Sequence, residues 1–241
     1  MQLGSEAKKS MPQDRGDLSH VYDYYCSQRP TGQTSDSLYR IWERGEAFND
    51  SITPSIYVPE YRSHVVLKVL TLTEEASNIL SLGCGNGFVE GDLVANGRNV
   101  KAVDCLEEAV ELTRAKGVDA FVSDFFTLEP RHFEGIDVVF GDGILGHLFD
   151  PEQEMKPALT KLASLGLKPG SWLVFSNDSP REQGVQFAPH GVVPGFWFIS
   201  RDYLQKSLGS FGFEPVESYY FPYLRPLSGM RNRTICVARV P

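Results

Sequence analysis

The fold is decided by the stretch Ile79-Leu80-Ser81-Leu82-Gly83-Cys84-Gly85-Asn86-Gly87. A mainly apolar strand runs directly into three glycines at alternate positions, and a helical pattern follows. Glycine lets the backbone turn tightly and approach a ligand closely, while the first turn of a helix offers unpaired N–H groups. The pattern indicates a nucleotide-type ligand. A purely structural turn, which needs only one or two glycines, is the alternative.

Beyond this turn, short apolar strands alternate with helical stretches. The predicted strands cover residues 78–83, 99–104, 119–124, 136–142, 171–177, 214–220 and 234–240. The predicted helices cover residues 87–96, 106–116 and 154–165, with a last helix that starts near Ser200. Alternation of this kind predicts an α/β fold with a mostly parallel seven-stranded sheet and helices on both faces. A loop with proline and glycine between the last two strands permits a reversed C-terminal hairpin.

The first 74 residues have a different character. Residues 1–18 are polar and are expected to form a flexible tail. Residues 19–74 are predicted to form a helical lid, with helices at 35–48 and 59–72, and residues 75–241 the main domain. Aromatic residues are dense in this lid and around Trp197, which suits a cover over a planar or apolar substrate. Packing of the extra helices on the sheet is the alternative.

Charge and composition exclude several partners. The net charge of −8 and the pI near 5.2 disfavour nucleic acid and anionic lipid as partners. The cluster of Arg225, Arg231, Arg233 and Arg239 is interpreted as ordinary strand and loop charges. Because no apolar run resembles a signal peptide or a membrane span, we expect a cytoplasmic protein without a membrane partner. The spacing of the four cysteines, and the lack of clustered carboxylates, predict no metal site.

Asp104 closes the second strand of the alternating region. It follows Gly87 by seventeen residues, about where an acidic side chain accepts hydrogen bonds from ribose hydroxyls in a βαβ nucleotide site. This position strengthens the prediction of a nucleotide-type ligand. The alternative is an aspartate that caps the next helix.

Five segments, taken in order, resemble the motifs of class I S-adenosylmethionine-dependent methyltransferases. They are LGCGNG, VKAVD, VSDFF, IDVVFGDGILGHLFD and LGLKPGSWLVF, and the resemblance extends over residues 78–240. It implies a Rossmann-like seven-stranded fold, S-adenosylmethionine as the cofactor and S-adenosylhomocysteine as the product. In architecture and length, the chain resembles the small tailoring methyltransferases of secondary metabolism. That likeness implies a small, aromatic or heterocyclic acceptor, methylated on oxygen or nitrogen.

The resemblance also implies which residues bind the cofactor. They are Gly83, Cys84, Gly85, Gly87, Asp104, Cys105, Asp124, Phe125, Gly141, Asp142 and Gly143. Asp104 would hold the ribose hydroxyls and Asp124 the adenine amino group. Ser81 departs from the pattern, because an acidic residue usually stands there. Either another acid such as Asp142 compensates for this serine, or cofactor affinity is reduced.

Methyl transfer is an in-line displacement, so positioning of the acceptor and exclusion of water matter most. His147, at the end of the fourth strand, is the candidate base, with Asp142 as a second catalytic candidate. His147 as a helix cap is the alternative. Substrate contacts are predicted for Tyr25, Tyr57, Trp197 and His190.

Three other functions remain open. Ser81 fits a noncatalytic cofactor-binding module with a decayed site. An NAD-dependent oxidoreductase is a further alternative, but Phe88 stands where GxGxxG requires glycine or alanine. Aminopropyl transfer would need paired acids, and Asp142 is the only acid at the end of the fourth strand. We expect a monomer or a homodimer.

Overall fold

Eight α-helices and eleven strands lie in the residues that the computed structural model describes, 18–31, 34–46 and 52–241. The helices are α1 (Ser19–Tyr25), α2 (Leu38–Glu43), α3 (Pro59–Thr71), α4 (Phe88–Ala95), α5 (Glu107–Arg114), α6 (Ile144–His147), α7 (Lys156–Ala163) and α8 (Arg201–Ser210). The strands are β1 (Arg29–Thr31), β2 (Thr34–Asp36), β3 (Asn78–Leu82), β4 (Asn99–Asp104), β5 (Asp119–Val122), β6 (Val138–Asp142), β7 (Trp172–Asp178), β8 (Phe187–Pro189), β9 (Trp197–Ile199), β10 (Glu214–Arg225) and β11 (Gly229–Arg239). Short 3-10 helices span Ser55–Tyr57, Phe125–Thr127 and Pro130–Phe133.

The central sheet has seven strands in the order β10-β11-β7-β6-β3-β4-β5. Strands β3 to β7 pair in parallel, while β11 pairs antiparallel with both β7 and β10. The chain therefore forms the predicted Rossmann-like sheet, mostly parallel with a reversed C-terminal hairpin. The strand order reverses between β3 and β6. In open α/β sheets, ligands bind at the carboxyl ends of the strands at such a switch point.

Side chains on β3 alternate between the two faces of the sheet, and both faces are buried. Ile79 belongs to a core cluster with Val65 of α3 and Leu93 of α4. Its neighbour Leu80 belongs to the opposite cluster, with Leu159 of α7. Because successive residues of a strand point to opposite faces, a run of apolar residues requires helices on both sides. The prediction of two helical layers is confirmed.

The predicted helix over residues 35–48 is wrong at its start. Strand β2 occupies Thr34–Asp36, and α2 begins only after Ser37. The Ser37 hydroxyl accepts a hydrogen bond from the backbone N–H of Arg40 at 3.2 Å, which caps the helix. The cap signal therefore outweighs the apolar spacing from which the longer helix was inferred. The predicted end at residue 48 lies outside the described residues.

The C-terminal hairpin is longer than predicted. The strands predicted at 214–220 and 234–240 extend to Glu214–Arg225 and Gly229–Arg239. Pro222 pairs with Asn232 in this extension. A proline tolerates this position because β10 is an edge strand, where a missing N–H breaks no second ladder. The residues taken for a loop thus form a long arm of the hairpin.

The N-terminal segment packs beside the carboxyl ends of the strands. Leu38 and Trp42 of α2 form a third apolar cluster with Leu106 and Ala109 of the α5 region and with Phe196. The predicted tail, residues 1–18, lies outside the described residues except for Leu18, whose carbonyl accepts the N–H of Val21. None of the described helices combines the length and apolar character that a membrane crossing requires.

We expect Gly87→Ala to destabilise the fold more than Gly117→Ala does. Both glycines have a left-handed φ, +71° and +80°, which costs an alanine about 1 kcal/mol. A Cβ at Gly87 would also lie 2.8 Å from the Cα of Thr113, whereas nothing lies within 4 Å at Gly117. Overpacking adds about 1–3 kcal/mol. Urea unfolding of both variants measures the difference; equal losses would contradict the close packing of α4 on α5.

Candidate cofactor and substrate site

A large cavity opens at the carboxyl ends of β3, β4 and β6, beside the switch point of the sheet. Eleven of the residues predicted from the sequence line it: Tyr25, Gly83, Cys84, Gly85, Asp104, Cys105, Phe125, Asp142, Gly143, His147 and His190. Five predicted residues are not part of its lining: Tyr57, Gly87, Asp124, Gly141 and Trp197. The cavity therefore joins most of the predicted cofactor residues to four of the predicted substrate or catalytic residues, Tyr25, Asp142, His147 and His190.

The glycine loop forms one side of the cavity. Gly83 and Gly85 both have a positive φ, +71° and +54°, which explains why glycine stands at each position. The backbone N–H of Gly85 donates to Oδ2 of Asp104 at 2.9 Å. A Cβ on Gly85 would meet only the Tyr39 ring at 3.9 Å. The loop thus leaves open space over its backbone, as a closely bound ligand requires.

Asp104 is buried at the end of β4. Its Oδ1 accepts the N–H of Leu106 at 3.0 Å, while Oδ2 is held by Gly85. Burial raises the pKa of this carboxyl, and the backbone hydrogen bonds oppose that rise. Each carboxylate oxygen has a second lone pair, so the fixed carboxylate can still accept hydrogen bonds from a ligand in the cavity.

The predicted residues outside the lining have other contacts. Asp124 caps the Phe125–Thr127 turn, because its Oδ1 accepts the N–H of Phe126 at 2.7 Å. Tyr57 packs edge-on against Phe88, with ring centroids 5.3 Å apart. Trp197 stacks on Phe149 at 4.7 Å.

Two of the predicted glycines also lie outside the lining, and each permits close packing. Gly87 packs on Thr113 and Gly141 on Phe175.

Glu90 lines the cavity and was not predicted. It lies in the first turn of α4, fully buried, and accepts a hydrogen bond from the Ser81 hydroxyl at 2.6 Å. Burial raises the pKa of Glu90 to about 7, although the hydrogen bond from Ser81 opposes the rise. An acid therefore stands beside the serine that departs from the family pattern. The only sequence signal for this contact is the position of Glu90. It follows Gly87 by three residues, so the first turn of α4 brings its side chain back toward β3.

Arg233 is the centre of a buried ionic network on the opposite side of the cavity. Its guanidinium pairs with Asp142 on β6 and, at 3.2 Å, with Asp178 on β7. Nε donates to the Ser176 hydroxyl at 3.1 Å, and the Tyr61 hydroxyl donates to Asp142 at 3.0 Å. Asp142 is thus neutralised by an arginine.

A second arginine extends this charged wall. Arg225 is 5% exposed and donates through Nε to the Tyr223 hydroxyl at 3.1 Å, which in turn donates to Asp178 at 3.0 Å. Burial raises the pKa of Asp178, and the charge of Arg225 opposes the rise. The interpretation of the C-terminal arginines as ordinary strand and loop charges is therefore wrong for Arg225 and Arg233, since both are buried in the cavity wall.

His147 ends α6 and lies between the two sides. Its Nε2 is 3.0 Å from the Tyr25 hydroxyl. Its Nδ1 is buried, and no described group hydrogen-bonds to it. Burial, followed by the charges of His20 and His190, lowers the pKa of His147 to about 3. The imidazole is therefore neutral near pH 7, with one ring nitrogen fixed by Tyr25.

The N-terminal segment encloses this part of the cavity with aromatic rings. Tyr25 packs against Tyr39, Trp42 and His147 with centroid distances of 5.5–5.9 Å. Phe196 covers His147 from the β8–β9 region at 4.8 Å. These rings form an apolar, partly enclosed chamber around the imidazole of His147.

Comparison with known proteins agrees with this geometry. Residues 56–218 match the family described as a methyltransferase domain. The chain belongs to this family, and the class I S-adenosylmethionine-dependent type predicted from the motifs is confirmed, with S-adenosylmethionine as its cofactor.

One curated protein is similar to this chain in sequence, and two solved structures are similar to it in fold. A tabtoxin biosynthesis enzyme of Pseudomonas amygdali pv. tabaci is 59% identical over 225 residues, which cover 93% of this chain and 89% of that protein. The fold resembles that of a 1,6-didemethyltoxoflavin-N1-methyltransferase from Burkholderia thailandensis, with a TM-score of 0.56 and 22% identity. The match covers 75% of this chain and 77% of that protein. It also resembles that of the [4+2]-cyclase SpnF, with a TM-score of 0.65 and 16% identity. The match covers 93% of this chain and 96% of that protein.

The raised pKa of Glu90 predicts a pH-dependent stability without cofactor. The pKa of Glu90 in the fold, about 7, lies above its ordinary value of 4.5, so the unfolded chain binds fewer protons between these limits. Glu90 therefore stabilises the fold below about pH 4.5, and this contribution is lost as pH rises through about 7. The full loss is about 3 kcal/mol.

Glu90→Gln removes this titration, so its stability relative to wild type should increase from pH 5 to pH 8. Urea unfolding at several pH values measures it. Asp92→Asn, at a partly exposed carboxylate of the same helix that pairs with Arg62 at 3.3 Å, is the control for the loss of one carboxylate from α4. A constant difference between Glu90→Gln and wild type would show that Glu90 stays ionised in the fold.

Proposed function

We propose that this chain transfers the methyl group of S-adenosylmethionine to an oxygen or nitrogen atom of a small organic molecule in natural-product biosynthesis. One observation carries the proposal: a single cavity contains both the Gly83–Gly85 loop with Asp104 and the Tyr25–His147 pair. The high identity to a tabtoxin biosynthesis enzyme supports a place in secondary metabolism.

The cofactor would lie along the glycine loop. Gly83 and Gly85 permit close approach of a ligand, and Asp104 is positioned to accept hydrogen bonds from ribose hydroxyls. Phe125 offers an apolar contact for the adenine, while Glu90 supplies the acidic group that Ser81 lacks. When bound, the cofactor supplies an electrophilic methyl group; the residues around it hold, orient and shield the reactants.

His147 is the proposed base. In the tautomer with a proton on Nε2, that nitrogen donates to the Tyr25 hydroxyl and leaves the lone pair of Nδ1 available to the acceptor. The neutral imidazole then accepts a hydrogen bond from the acceptor's O–H or N–H group. Because burial lowers the pKa of His147 to about 3, the imidazole takes the proton only once methyl transfer has made the acceptor a stronger acid than the imidazolium.

The aromatic chamber has two roles in the proposal. Tyr39, Trp42 and Phe196 exclude water, which would otherwise weaken the alignment and the electrostatic contacts of the reactants. Flat rings also favour a planar acceptor, so an aromatic or heterocyclic substrate is proposed. In this arrangement α1 and α2 act as the lid, whereas α3, which belonged to the predicted lid, packs on the sheet.

A noncatalytic module is the second candidate. The likeness to a cyclase of the same fold shows that this architecture serves more than one reaction. The altered Ser81 favoured a decayed site, but Glu90 restores an acid at the same place. The observation that favours the enzyme is therefore the Ser81–Glu90 pair together with the unpartnered Nδ1 of His147.

Asp104→Asn should weaken binding of S-adenosylhomocysteine at least tenfold, because an amide nitrogen replaces an oxygen that accepts ligand and backbone protons. Calorimetric titration measures this, and wild type should show no binding of NAD. Asp137→Asn is the matched control, since Asp137 also accepts a backbone N–H, that of Asn78, but lies outside the cavity lining. Binding of NAD alone would favour the oxidoreductase.

His147→Asn should lower turnover by about 10²–10⁴-fold while the dissociation constant of S-adenosylhomocysteine changes less than about twofold. Transfer of label from methyl-labelled S-adenosylmethionine to a panel of phenols and heterocyclic amines is the assay. His64→Asn is the control, because His64 pairs with Tyr219 outside the cavity lining. Equal turnover in wild type and His147→Asn would assign His147 a structural role only.

A further inference from the structure

A narrow recess adjoins the cavity beyond its charged wall. The two share Asp178, His190 and Arg225 in their linings. The recess is completed on one side by Arg181 and Arg231, which the larger cavity does not include. These three side chains therefore border both the cavity and the recess.

Positive charge predominates in this recess. Among the described residues of its lining, Arg181, Arg225 and Arg231 face a single carboxylate, Asp178. Asp178 is moreover engaged by Arg233 from the other side at 3.2 Å. Asp178 is therefore already paired with an arginine from outside the recess, besides lying beside Arg181 and Arg231 within it.

Arg231 has hydrogen-bonding capacity to spare. Its Nη2 atom is buried and no group of the described residues hydrogen-bonds to it, while Nη1 reaches only the carbonyl of Met230 at 3.4 Å. A buried cationic donor without an acceptor is costly, so an arrangement of this kind indicates a partner absent from the free protein. Burial and the neighbouring charge of Arg181 lower the pKa of Arg231, in agreement with a site that lacks its anion.

His190 also lines the recess, and the backbone holds its ring. The backbone N–H groups of Val192 and Val193 both donate to its Nδ1, at 3.0 and 2.8 Å. Nδ1 therefore carries no proton, and in the neutral ring the proton lies on Nε2. His190 therefore lies at the recess with its Nδ1 lone pair already occupied by the backbone.

We propose that the recess binds a carboxylate of the methyl acceptor, held by Arg231, so that the acceptor spans from this recess to His147. The inference rests on the proposed function, which makes the bound molecule a methyl acceptor. It narrows the substrate class of that function to small acids. A monoanion fits better than a phosphate dianion, because Asp178 in the same lining repels additional negative charge.

The test uses full-length protein saturated with S-adenosylhomocysteine, so that the cofactor's own carboxylate site is filled. Benzoate and benzamide, two probes of the same shape, are titrated by ligand-observed NMR. Benzoate should bind at least tenfold more tightly than benzamide. Arg231→Met should abolish this preference, and Arg231→Lys should retain part of it. Arg131→Met, at an exposed arginine paired with Glu129, is the control and should keep the full preference.

Other results would overturn the proposal. They are equal binding of the two probes, unchanged benzoate binding in a folded Arg231→Met variant, or tighter binding of phenyl phosphate than of benzoate. Weaker S-adenosylhomocysteine binding in Arg231→Met would assign the recess to the cofactor instead. If the wild-type protein binds no S-adenosylhomocysteine, the proposed function is contradicted. The proposal for the recess is then tested separately, by comparing benzoate with benzamide in the absence of cofactor.

Discussion

The buried guanidinium of Arg233 joins the parts of the molecule that must meet at the cavity. From β11 it reaches Asp142 on β6 and both Ser176 and Asp178 on β7. The Tyr61 hydroxyl of α3 contacts Arg233, Asp142 and Ser176 in the same network. Removing one partner of such a buried pair costs about 3–5 kcal/mol, because the other charge is left uncompensated. The reversed hairpin therefore does more than close the sheet, since it supplies the cation that lets two carboxylates stand in the cavity wall.

That arrangement divides the cavity into two chemically different ends. The end at β3 and β4 is built from backbone, with positive-φ glycines and one carboxylate fixed by N–H groups. The end at β6, β7 and the hairpin is built from long side chains whose charges depend on one another. The first end therefore suits a ligand that related proteins share. The second end suits a ligand that is particular to this chain. His147 lies where the two meet, with Tyr25 of the N-terminal segment fixing its ring.

The sequence predicted the first end well and the second poorly, for a physical reason. The glycine loop and Asp104 are local signals, because a turn from strand to helix and a carboxylate at a strand end are visible within a few residues. Arg225 and Arg233 look like ordinary strand charges until the hairpin pairs with β7, far away along the chain. Glu90 was missed similarly, since its partner Ser81 is reached through the turn between β3 and α4 and not by side-chain periodicity.

Net charge was also a weaker guide than its distribution. The formal charge of −8 argues against polyanions, and that argument stands for a surface that must bind many phosphates at once. It says little about one small anion. Exposed charges are largely screened beyond about 8 Å in physiological salt, whereas buried groups are not. An acceptor that has entered the chamber therefore experiences Arg231 and its neighbours far more strongly than the acidic surface, so an acidic protein can select a small acid.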